Sequence, residues 1–384
     1  MHKFHYLNNK LSSGFVSLFS GRMLQFAANG FIGLFLPIYL FINFNFQIKY
    51  VLLWYVVGHL LYLVVLPIGA QFLNKFGLRR SLRVSVFFDA LVYVSIFMIA
   101  KDPVLYSIIS LFLLTFSRMS FWLPFHVDFA KFTDKHDRGK EVSLIWATKS
   151  FLGIIMPIIS AYLITYYGFN MVFIIAILLY LSAGIPFLAL PRTREKFEWK
   201  YWETIKRFFS KENRSLVWAN MANGAENSVS MIIWPIFIWQ LLDGDYAAVG
   251  VLSSLIVLIG VILQLIVGKY TDIFNKRKLL HWGSFFYAMG WLMKIFVLTG
   301  YQIFLAGAYH KFAQIFKNTP FDTLNYEILA DQGHYVDEYT VIKELAVQLG
   351  KILILLFALI VALNFGLNWT FVLAALASLL VNFL

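Results

Sequence analysis

Long apolar stretches, each close to the roughly 20 residues a helix needs to cross a hydrocarbon core, alternate along this chain with short polar gaps. The pattern predicts twelve spans, at about 14–43, 50–73, 81–100, 103–128, 142–165, 168–190, 215–242, 246–269, 280–300, 302–327, 340–363 and 366–384. The gaps differ in charge. Lys75, Arg79, Arg80 and Arg83 follow span 2; Lys131, Lys135, Arg138 and Lys140 follow span 4; eight basic residues lie between 192 and 214; Lys276, Arg277 and Lys278 follow span 8. The opposite gaps hold little beyond Lys49 and Lys101. Positive loops stay on the cytoplasmic side, so both termini are expected there, in a plasma membrane.

The halves echo one another at a constant offset. Ala70, Asn74, Gly77, Arg79 and Arg80 pair with Gly268, Asp272, Asn275, Arg277 and Lys278, 198 residues later. Asn29 and Pro37 pair in the same register with Asn227 and Pro235, and Gly168, Asn170 and Phe173 with Gly366, Asn368 and Phe371. Such a register implies a duplicated chain, two six-span bundles of like topology. Gly77 and Asn275 also suggest one left-handed turn used twice. The expected units are 1–190, a linker at 191–214 and 215–384. Trp199, Trp202, Ile205, Phe208 and Phe209 among Lys and Arg read as a helix lying in the headgroup layer.

Composition supports this picture and narrows it. Hydrophobic residues make up 60% of the 384 and charged residues 14%, well below the roughly 25% of a soluble domain. The net charge of +12 sits in the short gaps, which favours lipid and topology over nucleic acid as its explanation. There is no cysteine, which excludes disulfides and thiolate chemistry. No small-residue cleavage pattern follows the first apolar run, so no removed signal peptide is expected. Apolar sequence runs to Leu384, leaving either no cytoplasmic tail or a shortened chain. No Gly-rich loop ending in Lys and Ser or Thr occurs, so direct ATP drive is not expected, nor any cofactor. His59, His126, His281 and His310 have no metal-ligand spacing.

Twelve spans in two like halves, with a basic turn after span 2 and its copy after span 8, resemble the major facilitator superfamily. That family's turn runs Gly, three residues, Asp, Arg or Lys, one residue, Gly, then basic residues. Asp272 holds the acidic place in the second copy. Asn74 replaces it in the first, and Ala70 the leading Gly, which removes one partner of a charge-pair latch there. Arg138 and Gly139 before Glu141, Gly168 to Phe173 with Leu190 and Pro191, and Leu114 followed by Arg118 are similar to other family stretches; Gly153, Pro157 and Ala161 loosely match the span 5 motif of drug–proton antiporters. The resemblance implies spans 1, 4, 7 and 10 around a central cavity, spans 3, 6, 9 and 12 outside, and alternating access by rocking of the bundles.

A charge at the bilayer centre costs about 2.5–3.5 kcal/mol on insertion scales, so each needs a partner, water or a role. Arg22, Gln25 and Asn29 share one face of span 1, and their counterparts Asn220, Asn223 and Asn227 one face of span 7, with Glu226 beside them. His310, Gln314 and Lys317 share a face of span 10, with Lys311 and Asn318 adjacent; Arg118 lies in span 4, Lys149 in span 5, and Glu344, Gln348 and Lys351 in span 11. Cations outnumber deep acids, which points to an anionic substrate; snorkelling and pairing at bundle contacts are the alternative. Arg22, Gln25, Asn29, Arg118, Lys149, Asn223, Asn227, Lys311, Gln314 and Lys317 are the candidate substrate residues. Glu226 is the candidate for proton coupling, against a fixed pair with Arg22 or Arg118. Asn74, Lys75, Gly77, Arg79, Arg80, Asp128, Arg138, Asp272, Lys276, Arg277, Lys278 and Glu327 are candidates for the gating loops. Asp89 and Lys294, on outer spans, read as scaffold.

These residues predict a monomeric secondary transporter, not an enzyme, that moves a small solute, an organic anion with protons as the coupling ion. An efflux antiporter for amphipathic compounds, a flippase for an anionic lipid and a non-transporting receptor or scaffold are the rivals.

Overall fold

The computed structural model describes residues 12–132, 138–191, 197–271, 275–330 and 335–384, without the side chains of 123, 126–132, 138–143, 146, 267–271, 329–330 and 336–337. Among the described residues there are helices and no strand. Span 1 is a bent pair, α1 (Ser13–Ile32) and α2 (Leu36–Asn43), turning by 43°. Next come α3 (Ile48–Phe76), α4 (Leu78–Met98), α5 (Pro103–Phe132) and α6 (Arg138–Leu188), which holds spans 5 and 6 end to end. The linker carries α7 (Tyr201–Phe208). Span 7 is α8 (Arg214–Ser228), a widened turn at Val229–Ile233, and α9 (Trp234–Leu241). The rest are α10 (Tyr246–Thr271), α11 (Lys276–Ile295), α12 (Gly300–Ala330), α13 (Val336–Asn364) and α14 (Thr370–Leu380).

Large apolar side chains face outward, and several charged and polar ones are buried within an otherwise apolar core. Phe87, Ile108, Phe112, Leu178, Ile185 and Leu265 are exposed, whereas Arg22, Gln25, Asn220, Glu226 and Lys317 are buried. This is a surface made for lipid around a core that holds buried polar clusters. Among the described residues six helices, or seven with the bent pair counted as one, are long and apolar enough to cross a membrane. Spans 9 and 10 are not among them because Lys, His and other polar residues dilute α11 and α12, and spans 7 and 12 are not because α8, α9 and α14 are too short.

The repeat is visible in contacts. Pro37 and Pro235 each stand in the first turn of the outer half-helix, α2 and α9, where a missing N–H costs nothing. The Tyr39 ring packs on Phe173 with centroids 4.9 Å apart, and at the equivalent positions Phe237 packs on Phe371 at 5.2 Å. Gly168 (φ 73°) and Gly366 (φ 102°) turn the chain between spans 5 and 6 and between spans 11 and 12, a backbone region that disfavours side chains. The turns after spans 2 and 8 are less alike than expected. Gly77 has φ 87°, but Asn275 sits at φ −62° and caps α11, its side chain accepting the N–H groups of Arg277 (3.1 Å) and Lys278 (3.2 Å). A helix start needs a cap acceptor, and Asn supplies one without entering the left-handed region.

Two six-helix bundles result. They meet along α3 against α13, along α6 against α10, and where α2 touches α9. At the end of the molecule away from the linker, Tyr246 packs on Phe35 and Phe169, and Trp239 on Phe41 and Phe46. At the linker end, Tyr62, Leu66, Ala70 and Leu73 of α3 share one core with Ile342, Leu345 and Ala346 of α13.

Candidate functional site

In the first bundle the face of α1 carrying Arg22, Gln25 and Asn29 is wired to α4 and α5. Arg22 stands 4.1 Å from the Phe26 ring and 4.8–5.1 Å from Phe121, Trp122 and Phe125, a cage suited to a delocalised cation. Its Nη1 donates to Gln25 Oε1 at 3.4 Å, and Gln25 Nε2 donates to Asp89 Oδ2 at 3.2 Å. The Ser117 hydroxyl donates to the other oxygen of Asp89. Asn29 accepts from the Tyr93 hydroxyl at 3.1 Å, and Tyr93 accepts from Tyr180 at 3.3 Å. Asp89 therefore does not pair with Lys294 as scaffold; it anchors the α1 face, because Gln25 reaches it directly.

The second bundle has its own buried cluster. Lys317 of α12 forms an ion pair with Glu226 of α8, and both side chains are at most 1% exposed. Tyr287 of α11 donates to Glu226 Oε2 at 2.7 Å, and Lys317 also donates to Asn223 Oδ1 at 3.2 Å. Glu226 thus takes its cation from span 10 rather than Arg22 or Arg118, because Lys317 lies in the same bundle and faces it. Tyr287 follows Asp89 by 198 residues, so in each bundle one carboxylate ties together the helices equivalent to spans 1, 3 and 4. The acid is on α4 in the first bundle and on α8 in the second. Lys294 is buried beside this cluster with its ammonium 4.0 Å from the Trp291 ring and 4.3 Å from Trp234. The His310 ring lies tilted against Tyr287 (4.1 Å) and edge-on to Trp291 (4.6 Å).

The remaining candidates divide between cavity, seam and loops. Lys149 of α6 is exposed, its ammonium 5.5 Å from the Phe26 ring on the Arg22 face. Lys311 donates to Gln314 Oε1 at 2.9 Å, its stem lying along Gly260 of α10. Asn227 donates to the Asn223 carbonyl at 2.8 Å, as Asn29 does to the Gln25 carbonyl at 3.0 Å. Asn220 faces Asn325 of α12 at 2.8 Å, a helix contact rather than the cavity. Arg118 reaches the Gly58 carbonyl and His59 Nδ1, each at 3.4 Å. His59 Nδ1 lies 2.7 Å from Gln348 Oε1 across the α3·α13 seam, while Gln348 Nε2 donates to Glu344 at 2.7 Å.

In the loops, Arg79 donates to the Leu190 carbonyl at 3.2 Å, and Arg83 donates to those of Phe187 and Leu188, cations on the end of a helix. Lys276 pairs with Glu327. Lys75, Arg80, Arg277 and Lys278 are exposed. The side chains of Asp128 and Arg138, and all of Asp272, lie outside the described residues. Sequence reasoning missed Tyr287, Ser117 and the His59–Gln348 contact; the 198-residue register applied to Asp89 would have found the first. No group of three or more metal-ligating side chains occurs among the described residues.

A family model for the Major Facilitator Superfamily matches residues 18–219 and again 216–384. The chain belongs to the major facilitator superfamily. This superfamily protein is thus a multi-pass membrane transporter and not an enzyme. Its fold is similar to that in "Crystal structure of D-xylose-proton symporter", with a TM-score of 0.68, 14% identity, and 95% of this chain and 96% of that one covered. At that identity the likeness speaks for the fold alone. No curated protein matches the chain. In this superfamily member the buried polar clusters sit on spans 1, 3 and 4 and on spans 7, 9 and 10.

Proposed function

We propose that this protein is a secondary transporter that moves a small organic anion by alternating access, with protons as the coupling ion. The observation that carries the substrate class is a charge imbalance away from the helix ends. Arg22, Arg118, Lys149, Lys294, Lys311, Lys317 and Lys351 stand against Asp89, Glu226, Asp322 and Glu344. Lys317 is neutralised by Glu226, but Arg118 and Lys311 rest on neutral partners. An anion entering between the bundles relieves the remaining repulsion. Glu226 suits coupling because its buried partner Lys317 is a cation that a substrate carboxylate would compete for. The name of the xylose–proton neighbour is compatible with proton coupling. The bundles would be 1–190 and 215–384 joined by 191–214, with the basic gaps and both termini cytoplasmic, in a plasma membrane, as a monomer.

A thermal-unfolding screen in detergent against anionic, neutral and cationic solutes tests this reading. A ligand at 100 times its Kd adds about 2.7 kcal/mol of stability. Stabilisation by carboxylates or phosphate esters, lost in Lys149→Ala and Arg118→Ala, is expected. A response to neutral sugars alone, or to lipophilic cations alone, untouched by either substitution, overturns the anion class; the second result supports the efflux reading.

A further inference from the structure

The linker does more than connect. Asn74, in the last turn of α3, holds the backbone of Phe197 at two points: its Oδ1 accepts the N–H at 2.8 Å and its Nδ2 donates to the C=O at 2.8 Å. The next residue crosses to the other bundle, the Glu198 N–H donating to Glu338 Oε1 of α13 at 2.9 Å. Trp199 follows, 4% exposed, with its ring 5.5 Å from Tyr335 and 5.4 Å from Tyr339. Arg207 of α7 covers it at 4.2 Å and is itself held by Glu203 at 3.1 Å. Phe197, Trp199 and Phe208 enter the same core as Tyr62, Leu66 and Leu73 of α3 and Ile342 and Leu345 of α13. Three consecutive residues thus bind first one bundle and then the other, at the linker end of the α3·α13 seam.

The chemistry at position 74 fits this contact. A backbone unit offers one donor and one acceptor, and a carboxamide answers both, whereas a carboxylate only accepts and would set an oxygen against the Phe197 carbonyl. The family's acidic residue is replaced by Asn at the place where the chain needs a donor. We propose that Phe197–Arg207 is a strap that holds the linker end of the α3·α13 seam shut and lets go when that side opens. The proposal rests on the alternating-access reading.

The absence of cysteine makes the test direct. Spin labels on Lys75→Cys and Lys343→Cys report the seam width by pulsed electron resonance, with no substrate required. Asn74→Asp, at an exposed position, and Trp199→Ala are each expected to move the labels apart; in Asn74→Asp the one donor lost changes the closed-to-open ratio by about three- to tenfold. Distance distributions that superimpose on the parent, in Asn74→Asp protein that elutes and melts like it, overturn the strap. If Trp199→Ala does not fold, Asn74→Asp alone decides. Loss of the closed population in the variants, together with failure of the parent protein to transport any solute in liposomes, supports the strap and counts against the transport reading, so the two fail separately.

Discussion

At the scale of single residues, the protein keeps charges in hydrocarbon by giving each a different kind of company. Glu226 and Lys317 have each other, Tyr287 and Asn223; Arg22 and Lys294 have aromatic faces; Asp89 has the amide of Gln25 and the hydroxyl of Ser117. A buried pair is weak evidence for net stability, yet removing one member strands the other. Glu226→Gln is therefore expected to cost about 3–5 kcal/mol, and the double change Glu226→Gln with Lys317→Met to recover most of it; chemical or thermal melts in detergent read both. Tyr287→Phe keeps the ring packing and removes one charge-assisted donor, for an expected loss of about 1.5–3 kcal/mol. Arg22→Lys keeps the charge but loses the flat stacking surface, and a lower melting point at unchanged net charge is the expected reading.

At the scale of elements, two features come from close approach and from turns. Gly350 of α13 lies where an added Cβ would be 1.9 Å from the Met221 carbonyl of α8, and Gly224 of α8 returns the contact at 2.3 Å from the Val347 carbonyl. Backbones meet there with no side chain between, the small-residue packing on which membrane helices depend. Gly350→Ala must push α8 and α13 apart. Because α8 carries Glu226 and Asn223, the substitution is expected to lower both the melting point and the solute-induced stabilisation, whereas Gly366→Ala, in a strained turn at φ 102° and ψ 162°, lowers the melting point by the cost of its backbone, about 1–3 kcal/mol, and leaves solute binding intact. Side-by-side melts with and without the stabilising solute separate the two.

At the scale of the whole molecule, the bundles touch through a polar bridge in the middle of the α3·α13 seam and through aromatic packing around α2, α6, α9 and α10 at the end away from the linker. His59 and Gln348 sit on opposite sides at 2.7 Å. Rocking the bundles apart at the linker end has to stretch or break that bridge. His59→Cys with Gln348→Cys, joined by a short reducible thiol cross-linker in this cysteine-free chain, is expected to stop solute uptake into liposomes, and reduction to restore it. Uptake that continues at the parent rate with the link intact would show that the seam does not open in the cycle.

Apolar periodicity, the charge of the gaps and the 198-residue register were enough to define the class, the twelve spans, the duplicated architecture and which residues were costly to bury. These are properties of local sequence: a spanning length, a loop charge and a repeated motif can be read without knowing what lies across the fold. The register even extended to details, since Pro37 and Pro235, and Gly168 and Gly366, do the same job in both halves. Partners could not be read this way. Whether Glu226 meets Arg22, Arg118 or Lys317 depends on the rotation of α8 against α12, and Asp89 on an outer span reaches Gln25 only because α4 packs on α5 and α6 and turns that face toward α1. Asn275 likewise takes up capping where Gly77 turns, since the same register position meets a different local need. The meaning of Asn74 was also hidden until Phe197 was placed against it, 123 residues along the chain. Helix periodicity determines which face is polar; only tertiary packing decides which two polar faces meet, because that choice is set by side-chain fit between helices distant in sequence.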